Sequence, residues 1–341
     1  MPRVVLAPDK FRGTADASAV TAAMSKAASG LGWQVTALPM SDGGEGFLDA
    51  AAVRCPVMVS TTVSGPDGRP VDAAWRYGDG IAVVESARAS GLAVAGGAEE
   101  NDPIAATSRG TGELLVAAAR QVGPGGTVEV GLGGSASTDG GLGALRVVEE
   151  AGGLGGISLL VACDVDIQFV DAARRFAPQK GAGSRQVAEL TDRLIRLAAE
   201  YRDRYGIDVS TRSGSGAAGG LGGGLVMLGG RLVSGYRLVA DLVGMTDALA
   251  NADRVMSGEG ALDASSFLGK VVGGVVVDAR GRGLPTLVVA GRSTAEGEDG
   301  ARVAGCDVVS LTERFGSGPA ATATCSCIEL VTAEWLGPGN G

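Results

Sequence analysis

Four segments of this 341-residue chain combine glycine with carboxylates, hydroxyls or cations where a strand pattern ends. They are Pro8-Asp9-Lys10-Phe11-Arg12-Gly13-Thr14, Ser41-Asp42-Gly43-Gly44-Glu45-Gly46, residues 131–141 with Gly133-Gly134-Ser135-Ala136 and Asp139-Gly140-Gly141, and Ser257-Gly258-Glu259-Gly260-Ala261-Leu262-Asp263. Glycine suits phosphate binding because, without a Cβ, successive backbone N–H groups can come close to an anion. Carboxylates beside such amides suit a hard cation such as Mg2+ or the removal of a proton. Any one of these loops reads equally well as a tight turn with a solvated acid. The same design at four strand ends points to a ligand crevice, since the carboxyl ends of strands open onto it in α/β sheets.

Three further residues join this set. In Val161-Ala162-Cys163-Asp164-Val165-Asp166, Asp164 suits a metal ligand, a base or a helix N-cap. In Ala177-Pro178-Gln179-Lys180-Gly181-Ala182, Lys180 suits neutralisation of a phosphate or a carboxylate, or else a surface charge. Arg109, in Thr107-Ser108-Arg109-Gly110-Thr111-Gly112-Glu113, precedes a helical pattern, where guanidinium and helix N–H groups together suit a small anion.

Composition narrows the chemistry. The 341 residues contain no histidine, which excludes a Ser-His-Asp triad, an HExxH zinc site and an imidazole base. Acid–base work must fall to carboxylates, lysine, cysteine, tyrosine or water. Glycine is abundant, 58 residues, yet it follows no three-residue period, and a 45% hydrophobic content with mean hydropathy +0.22 supports a buried core. At that abundance a GxGxxG pattern arises by chance about once or twice in such a chain. The one strict match, Gly214-Ser215-Gly216-Ala217-Ala218-Gly219, has no clear strand before it and carries little weight for a dinucleotide-dependent oxidoreductase. The net charge of -9 argues against nucleic acid or a membrane surface as partner. Apolar runs stay short of a membrane span, Met1-Pro2-Arg3 lacks the layout of a signal peptide, and the five cysteines are scattered. Reduced thiols and a cytoplasmic location are expected.

The elements that must position these residues alternate as in an α/β protein. Strand patterns cover 3–7, 34–38, 127–131, 158–163, 254–257, 286–290 and 307–311, with helices over 16–29, 111–121, 270–280 and 320–336 between them. The clearest amphipathic helix is 186–204, where Val187, Leu190, Leu194, Leu197 and Tyr201 recur at three- and four-residue spacing. Strand patterns at 58–64, 71–77 and 81–85 are joined by Gly65-Pro66-Asp67-Gly68 and Asp79-Gly80 turns, which predicts an antiparallel meander and a second domain with a mixed sheet.

In order along the chain these motifs resemble the bacterial glycerate kinases of the type II class. The series runs Ala7-Pro8-Asp9 with Phe11-Arg12-Gly13-Thr14, 41–46, Glu85-Ser86-Ala87 with Ser90-Gly91-Leu92, Thr107-Ser108 with Gly110-Thr111-Gly112-Glu113-Leu114, Gly133-Gly134-Ser135-Ala136, Asp139-Gly140-Gly141, Ala162-Cys163-Asp164-Val165, 178–182, Gly216-Ala217-Ala218-Gly219-Gly220-Leu221, and Gly258-Glu259-Gly260 with Asp263 and Gly269-Lys270. The resemblance implies two α/β domains, one flavodoxin/Rossmann-like and discontinuous (1–55 with 245–341), the other (56–244) with a mixed sheet containing antiparallel hairpins, and an active site in the cleft between them. It implies ATP-dependent phosphorylation of D-glycerate, usually on the 2-hydroxyl, with Mg2+. Such a transfer needs positioning and charge neutralisation and no histidine.

On that footing the residues take expected roles. Asp42 is the leading general base with Asp164 as rival, and Lys180 completes the catalytic set. Gly43, Gly44, Gly133, Gly134, Ser135 and Ala136 offer groups to the nucleotide phosphates. Ser108, Arg109, Lys10 and Arg12 face the substrate, and Asp139, Glu259 and Asp263 hold Mg2+. D-glycerate and ATP are the expected partners, and homo-oligomerisation stays open. Several positions depart from the family pattern. Lys10 and Arg12 stand where serine and lysine are usual, Thr138 replaces a frequent asparagine, and Ala261 and Ser265 replace a large residue and a glutamine. The segment 151–157 is also short. These departures keep a second reading open, a non-catalytic or altered-specificity relative that binds ligand.

Overall fold

A computed structural model describes residues 1–338, so the last three positions of the range expected to run to 341 lie outside the described residues. In chain order the strands are β1 Arg3–Leu6, β2 Gln34–Ala37, β3 Val57–Ser64, β4 Pro70–Gly78, β5 Ile81–Glu85, β6 Thr127–Gly131, β7 Ser158–Ala162, β8 Arg231–Val233, β9 Arg254–Leu262, β10 Thr286–Ser293 and β11 Asp307–Ser310. They form two sheets in two compact units, one of Met1–Asp42 with the chain from Val239 onward, the other of Gly43–Leu238.

The first unit carries a five-stranded sheet in the order β11-β10-β9-β1-β2, parallel throughout. Ranked by their occurrence in this unit, the strands read 2-1-3-4-5 from the β2 edge, the flavodoxin order. The expected flavodoxin-like, discontinuous unit is therefore present. Its inner strands are apolar runs because both faces are covered. Val4 and Leu6 pack with Val20, Met24, Ile328 and Val331 of helices Ala17–Gly30 and Thr324–Leu336. On another cluster Val288 and Ala290 meet Val272 and Val276 of helix Val271–Arg280.

The second unit holds a six-stranded sheet, β3-β4-β5-β6-β7-β8. The expected meander is real: β3, β4 and β5 are antiparallel, and β5 to β8 are parallel. Its first turn closes with Gly68 N–H donating to Gly65 O (3.0 Å), Gly68 taking the left-handed φ of +83° that the turn requires. The long helix spans Ser184–Tyr205 and buries the expected face, Leu190, Leu194, Leu197 and Tyr201, against Phe169 and Leu145. Tyr201 also donates its hydroxyl to Gly140 O (3.0 Å), tying this helix to one of the glycine loops.

Three expectations need correction. The division between units falls after Asp42 and after Leu238, not after 55 and 244, because helix Phe47–Ala51 packs with the second sheet and Leu48 N–H donates to Glu85 Oε1 (3.0 Å). Residues 257–262 belong to β9 and are not a loop: Ala290 pairs with Glu259, and Ser293 with Leu262. Glycine is required at 258 and 260 in that strand since a Cβ would lie 2.5 Å from Val289 O and 2.9 Å from Arg12 N respectively. The last helix is preceded by two short ones, Leu311–Phe315 and Ser317–Thr322, broken where Gly316 adopts φ +83°. Where the GxGxxG pattern lies, Ala218 and Gly219 adopt left-handed conformations, and helix Leu221–Met227 follows. Among the described residues no helix is long and apolar enough to cross a membrane.

Candidate active site

In the first unit, chemistry gathers at the carboxyl ends of β1 and β9. These neighbours are the first and third strands of the unit, the switch point at which flavodoxin-like sheets receive ligands. Pairing continues past β1: Ala7 N–H donates to Met256 O and Asp9 N–H to Gly258 O, both at 2.8 Å. Asp9 and Glu259 are thereby set side by side. Burial pushes the Asp9 carboxyl up to about 6, and the Asp42 charge adds to it, against the N–H of Lys10 and the charges of Lys10 and Arg12. Burial likewise pushes Glu259 up to about 7, opposed by Ser266 and Lys270 and reinforced by Asp9 and Asp263.

Ser266, on the 3-10 turn Ala264–Phe267, accepts from Asp263 N–H (3.0 Å) and bonds through its side chain to Glu259. The other Glu259 oxygen, Oε1, is buried with no hydrogen-bond partner among the described residues. Among those residues no three His, Cys, Asp or Glu side chains are grouped to hold a metal ion unaided. An oxygen-only pair with one orphaned carboxylate oxygen fits Mg2+ that keeps water and phosphate as most of its ligands.

In the second unit the chain around 133–137 is fixed from several sides. Gly133 approaches the loop after Asp42 so closely that a Cβ would stand 2.8 Å from Gly44 Cα, and a Cβ on Gly43 would stand 2.4 Å from Ala162 Cβ. The two expected phosphate loops of this unit do meet. Ser135 forms a bridge with Gly91, with Leu92 N–H donating to Gly134 O (2.8 Å) and Ala136 N–H to Ser90 O (2.9 Å). Ala136 is thus removed from the expected phosphate donors, because its amide is engaged within the fold. The amides of Gly133, Gly134 and Ser135 donate to no protein acceptor among the described residues.

Lys180 is 3% exposed, and its ammonium donates to Ser135 Oγ (2.8 Å) and Ser137 O (2.6 Å). Burial lowers its pKa to about 7, with the Asp139 charge opposing. Asn101 adds a second tie, donating to Lys180 O (2.8 Å) and Ala136 O (3.3 Å).

Asp139 departs from its expected metal role. Its Oδ2 accepts from Ser108 N–H and Ser108 Oγ, both 2.8 Å, from Gly143 N–H at 3.2 Å and from Thr107 Oγ1 at 3.4 Å, while Oδ1 accepts from Gly141 N–H at 3.1 Å. It sits at the N-termini of helices Arg109–Val122 and Leu142–Glu150, where orphan N–H groups and helix dipoles favour an anion. Ser108, fully buried, serves that carboxylate and Ala144 N–H (3.1 Å), so it does not face substrate as expected.

Arg109 lies along its own helix, pairing with Glu113 Oε1 (3.0 Å) and Glu150 Oε2 (3.9 Å). Its anion-binding role loses support because these carboxylates already engage the guanidinium. Asp263 caps the turn after β9, its Oδ1 accepting from Ser265 N–H (2.8 Å) and Ser265 Oγ (2.6 Å), which holds its carboxyl below the usual range. Asp164 accepts from Gly235 N–H (2.9 Å). Lys10 is half-buried and Arg12 exposed, both near enough to Asp9 to favour its ionised form.

Three contributors were missing from the expected site residues: Asp9, Ser266 and Asn101. Asp9 was legible as the acid of the first loop, directly before Lys10. Ser266 and Asn101 carried no signal, as a single serine or asparagine acquires its role only from what folds against it.

Comparison with known proteins agrees with this arrangement. The chain matches the profile of the Glycerate kinase family over residues 4–152 and 149–327. It is 38% identical over 336 residues to an uncharacterized protein of Mycobacterium bovis, covering 92% of this chain and 85% of the relative. It is 34% identical over 337 residues to the glycerate 2-kinase of Escherichia coli K12, covering 86% of each. A crystal structure from Salmonella typhimurium LT2, of a protein assigned as glycerate kinase 2, superposes with a TM-score of 0.79 at 29% identity, over 98% of this chain and 97% of that one. These matches run along nearly the whole sequence, and the chain belongs to the glycerate kinase family.

Proposed function

We propose that the protein transfers the terminal phosphoryl group of ATP to the 2-hydroxyl of D-glycerate, giving 2-phosphoglycerate and ADP. The observation that carries this reading is the family match, which spans both units. The name of the Escherichia coli relative, glycerate 2-kinase, supports the 2-position. In this reading the amides of Gly133, Gly134 and Ser135, with Gly43 and Gly44, receive the phosphates through fixed N–H dipoles. Asp42 takes the proton of the attacking hydroxyl. The glycerate oxygen bonds to the terminal phosphorus as the bond from that phosphorus to the ADP oxygen breaks.

Asp9 and Glu259 are the residues that would hold Mg2+. When bound with the nucleotide, the ion neutralises phosphate charge. The partners are small molecules, and the five cysteines, all free, suit a cytoplasmic setting.

Phosphorus NMR of the product formed from ATP and D-glycerate tests the reading, since 2- and 3-phosphoglycerate give separate signals. The 2-isomer is expected. Formation of the 3-isomer overturns the position. If neither forms while ATP still raises the melting temperature, the protein is a binding relative and not a kinase for this acid.

A further inference from the structure

Lys180 is a buried lysine that forms no ion pair among the described residues. Among the described residues no carboxylate lies within salt-bridge distance of it, and the nearby Asp139 carboxylate accepts five hydrogen bonds from other groups. Its partners are neutral: Ser135 Oγ and Ser137 O. An amine in that position donates to both acceptors in either charge state, since even the neutral form has two N–H bonds. Ser135 Oγ therefore accepts from Lys180, and its own single proton turns away from the lysine.

The surroundings leave the lysine little freedom. A Cβ on Gly219 would stand 3.0 Å from Nζ and 2.2 Å from Ser137 O, so the left-handed turn at Ala218-Gly219 lies directly against this contact. The backbone of Lys180 is tied to the same loop through Asn101. The side chain is thus enclosed by protein at 3% exposure, and Ser135, at 7% exposure, carries one of the three unengaged amides.

We propose that Lys180 is a positioning residue: by holding Ser135 Oγ and Ser137 O it presents the amides of Gly133, Gly134 and Ser135, together with the Ser135 hydroxyl proton, to the phosphate chain of the nucleotide. It does not touch the reactants itself. This rests on the kinase reading above and assigns the action of Lys180 to Ser135. The chemical class recognised is a polyphosphate.

The test is a double-mutant cycle on Mg-ATP affinity, read by calorimetry with Lys180→Met, Ser135→Ala and the double variant. Each single change is expected to weaken ATP binding about tenfold, the worth of one hydrogen bond to a charged acceptor. The double variant is expected to be no weaker than Lys180→Met alone, and the KM for D-glycerate should stay near that of the unaltered protein. Additive losses, which a merely structural lysine would give, overturn the proposal. So does a loss confined to D-glycerate. Should Lys180→Met fail to fold, Ser135→Ala decides: ATP affinity unchanged in that variant overturns the proposal.

The unaltered protein separates the two readings. Tight ATP binding without phosphorylation of D-glycerate defeats the kinase reading and leaves the cycle to judge Lys180. Absence of ATP binding in the unaltered protein defeats both.

Discussion

Asp9, just past the end of β1, and Glu259, within the neighbouring parallel strand β9, stand at matched positions, joined where Asp9 N–H donates to Gly258 O at 2.8 Å. In-register pairing of Leu6 with Met256 sets this arrangement, and the Asp9 charge adds to the burial that opposes ionisation of Glu259. Two neighbouring buried acids with raised pKa values are a pattern more typical of functional sites than of structural ones.

The pair makes the fold sensitive to pH in a defined direction. Below about pH 3 both carboxyls are largely protonated, folded or unfolded, and neither disfavours folding. As pH rises through the folded values of about 6 and 7, the unfolded chain has already ionised while the folded protein must ionise against burial, so stability falls. Glu259→Gln removes one such group. Its melting temperature is expected to exceed that of the unaltered protein at about pH 8, by the equivalent of roughly 2 kcal/mol after allowance for partial exposure. Thermal melts at a series of pH values check this, and a gap that does not narrow toward about pH 4 contradicts it.

Asp42→Asn addresses the proton acceptor. The amide keeps the shape and loses the basicity, so kcat is expected to fall by about a hundredfold or more while the KM for ATP changes little. A coupled ADP-release assay measures both constants, and turnover near normal removes Asp42 from this role and turns attention to Asp164.

For Asp139 the expectation concerns stability. Asp139→Ala leaves the N–H groups of Ser108, Gly141 and Gly143 without their acceptor, and a loss of about 3 kcal/mol or more is expected in urea denaturation. Asp139→Asn keeps an acceptor oxygen and should lose less. In the folded Asn variant the Mg2+ concentration for half-maximal activity should be unchanged; a large increase would restore Asp139 as a metal residue.

The contact between Gly133 and Gly44 gives a steric prediction. Gly133→Ala places a methyl group 2.8 Å from backbone Cα, where no flexible side chain can yield. A destabilisation of about 1–3 kcal/mol is expected, together with weaker ATP binding, as the loop must shift to relieve the overlap. Gly229→Ala is the control for clash, since a Cβ there meets nothing within 4 Å, although its φ of +83° still carries backbone strain. Melting curves and calorimetry on the two variants separate clash from strain.

Much of the frame was legible before any coordinates. β5 and β6 begin and end where β-branched runs and turn residues place them, and the buried stripe from Leu190 to Tyr201 follows from helical period alone. Those signals are local, because hydrophobic spacing and turn chemistry act over a few residues. β9 ran past its expected end because the glycines of Gly258-Glu259-Gly260 resemble a loop in isolation. Only the backbone of Phe11-Arg12 and of β10 lying against them shows why glycine is needed in a strand.

The same contrast divides the site. Residue types and their order along the chain determined the kind of chemistry: carboxylates, amides and cations without histidine, on loops that match the glycerate kinases. They did not distribute the work. Asp139, Glu259 and Asp263 look alike as acids in glycine-bearing segments, yet one is saturated by backbone N–H and hydroxyl groups at helix N-termini, one is buried with an orphaned oxygen, and one caps a turn. Ser108 and Arg109 are adjacent in sequence, but one is buried against Asp139 and the other lies exposed along a helix. A side chain's role at such positions is set by desolvation and by the donors that surround it. Those neighbours come from distant parts of the chain, so the choice among like residues was made only when the sheets assembled.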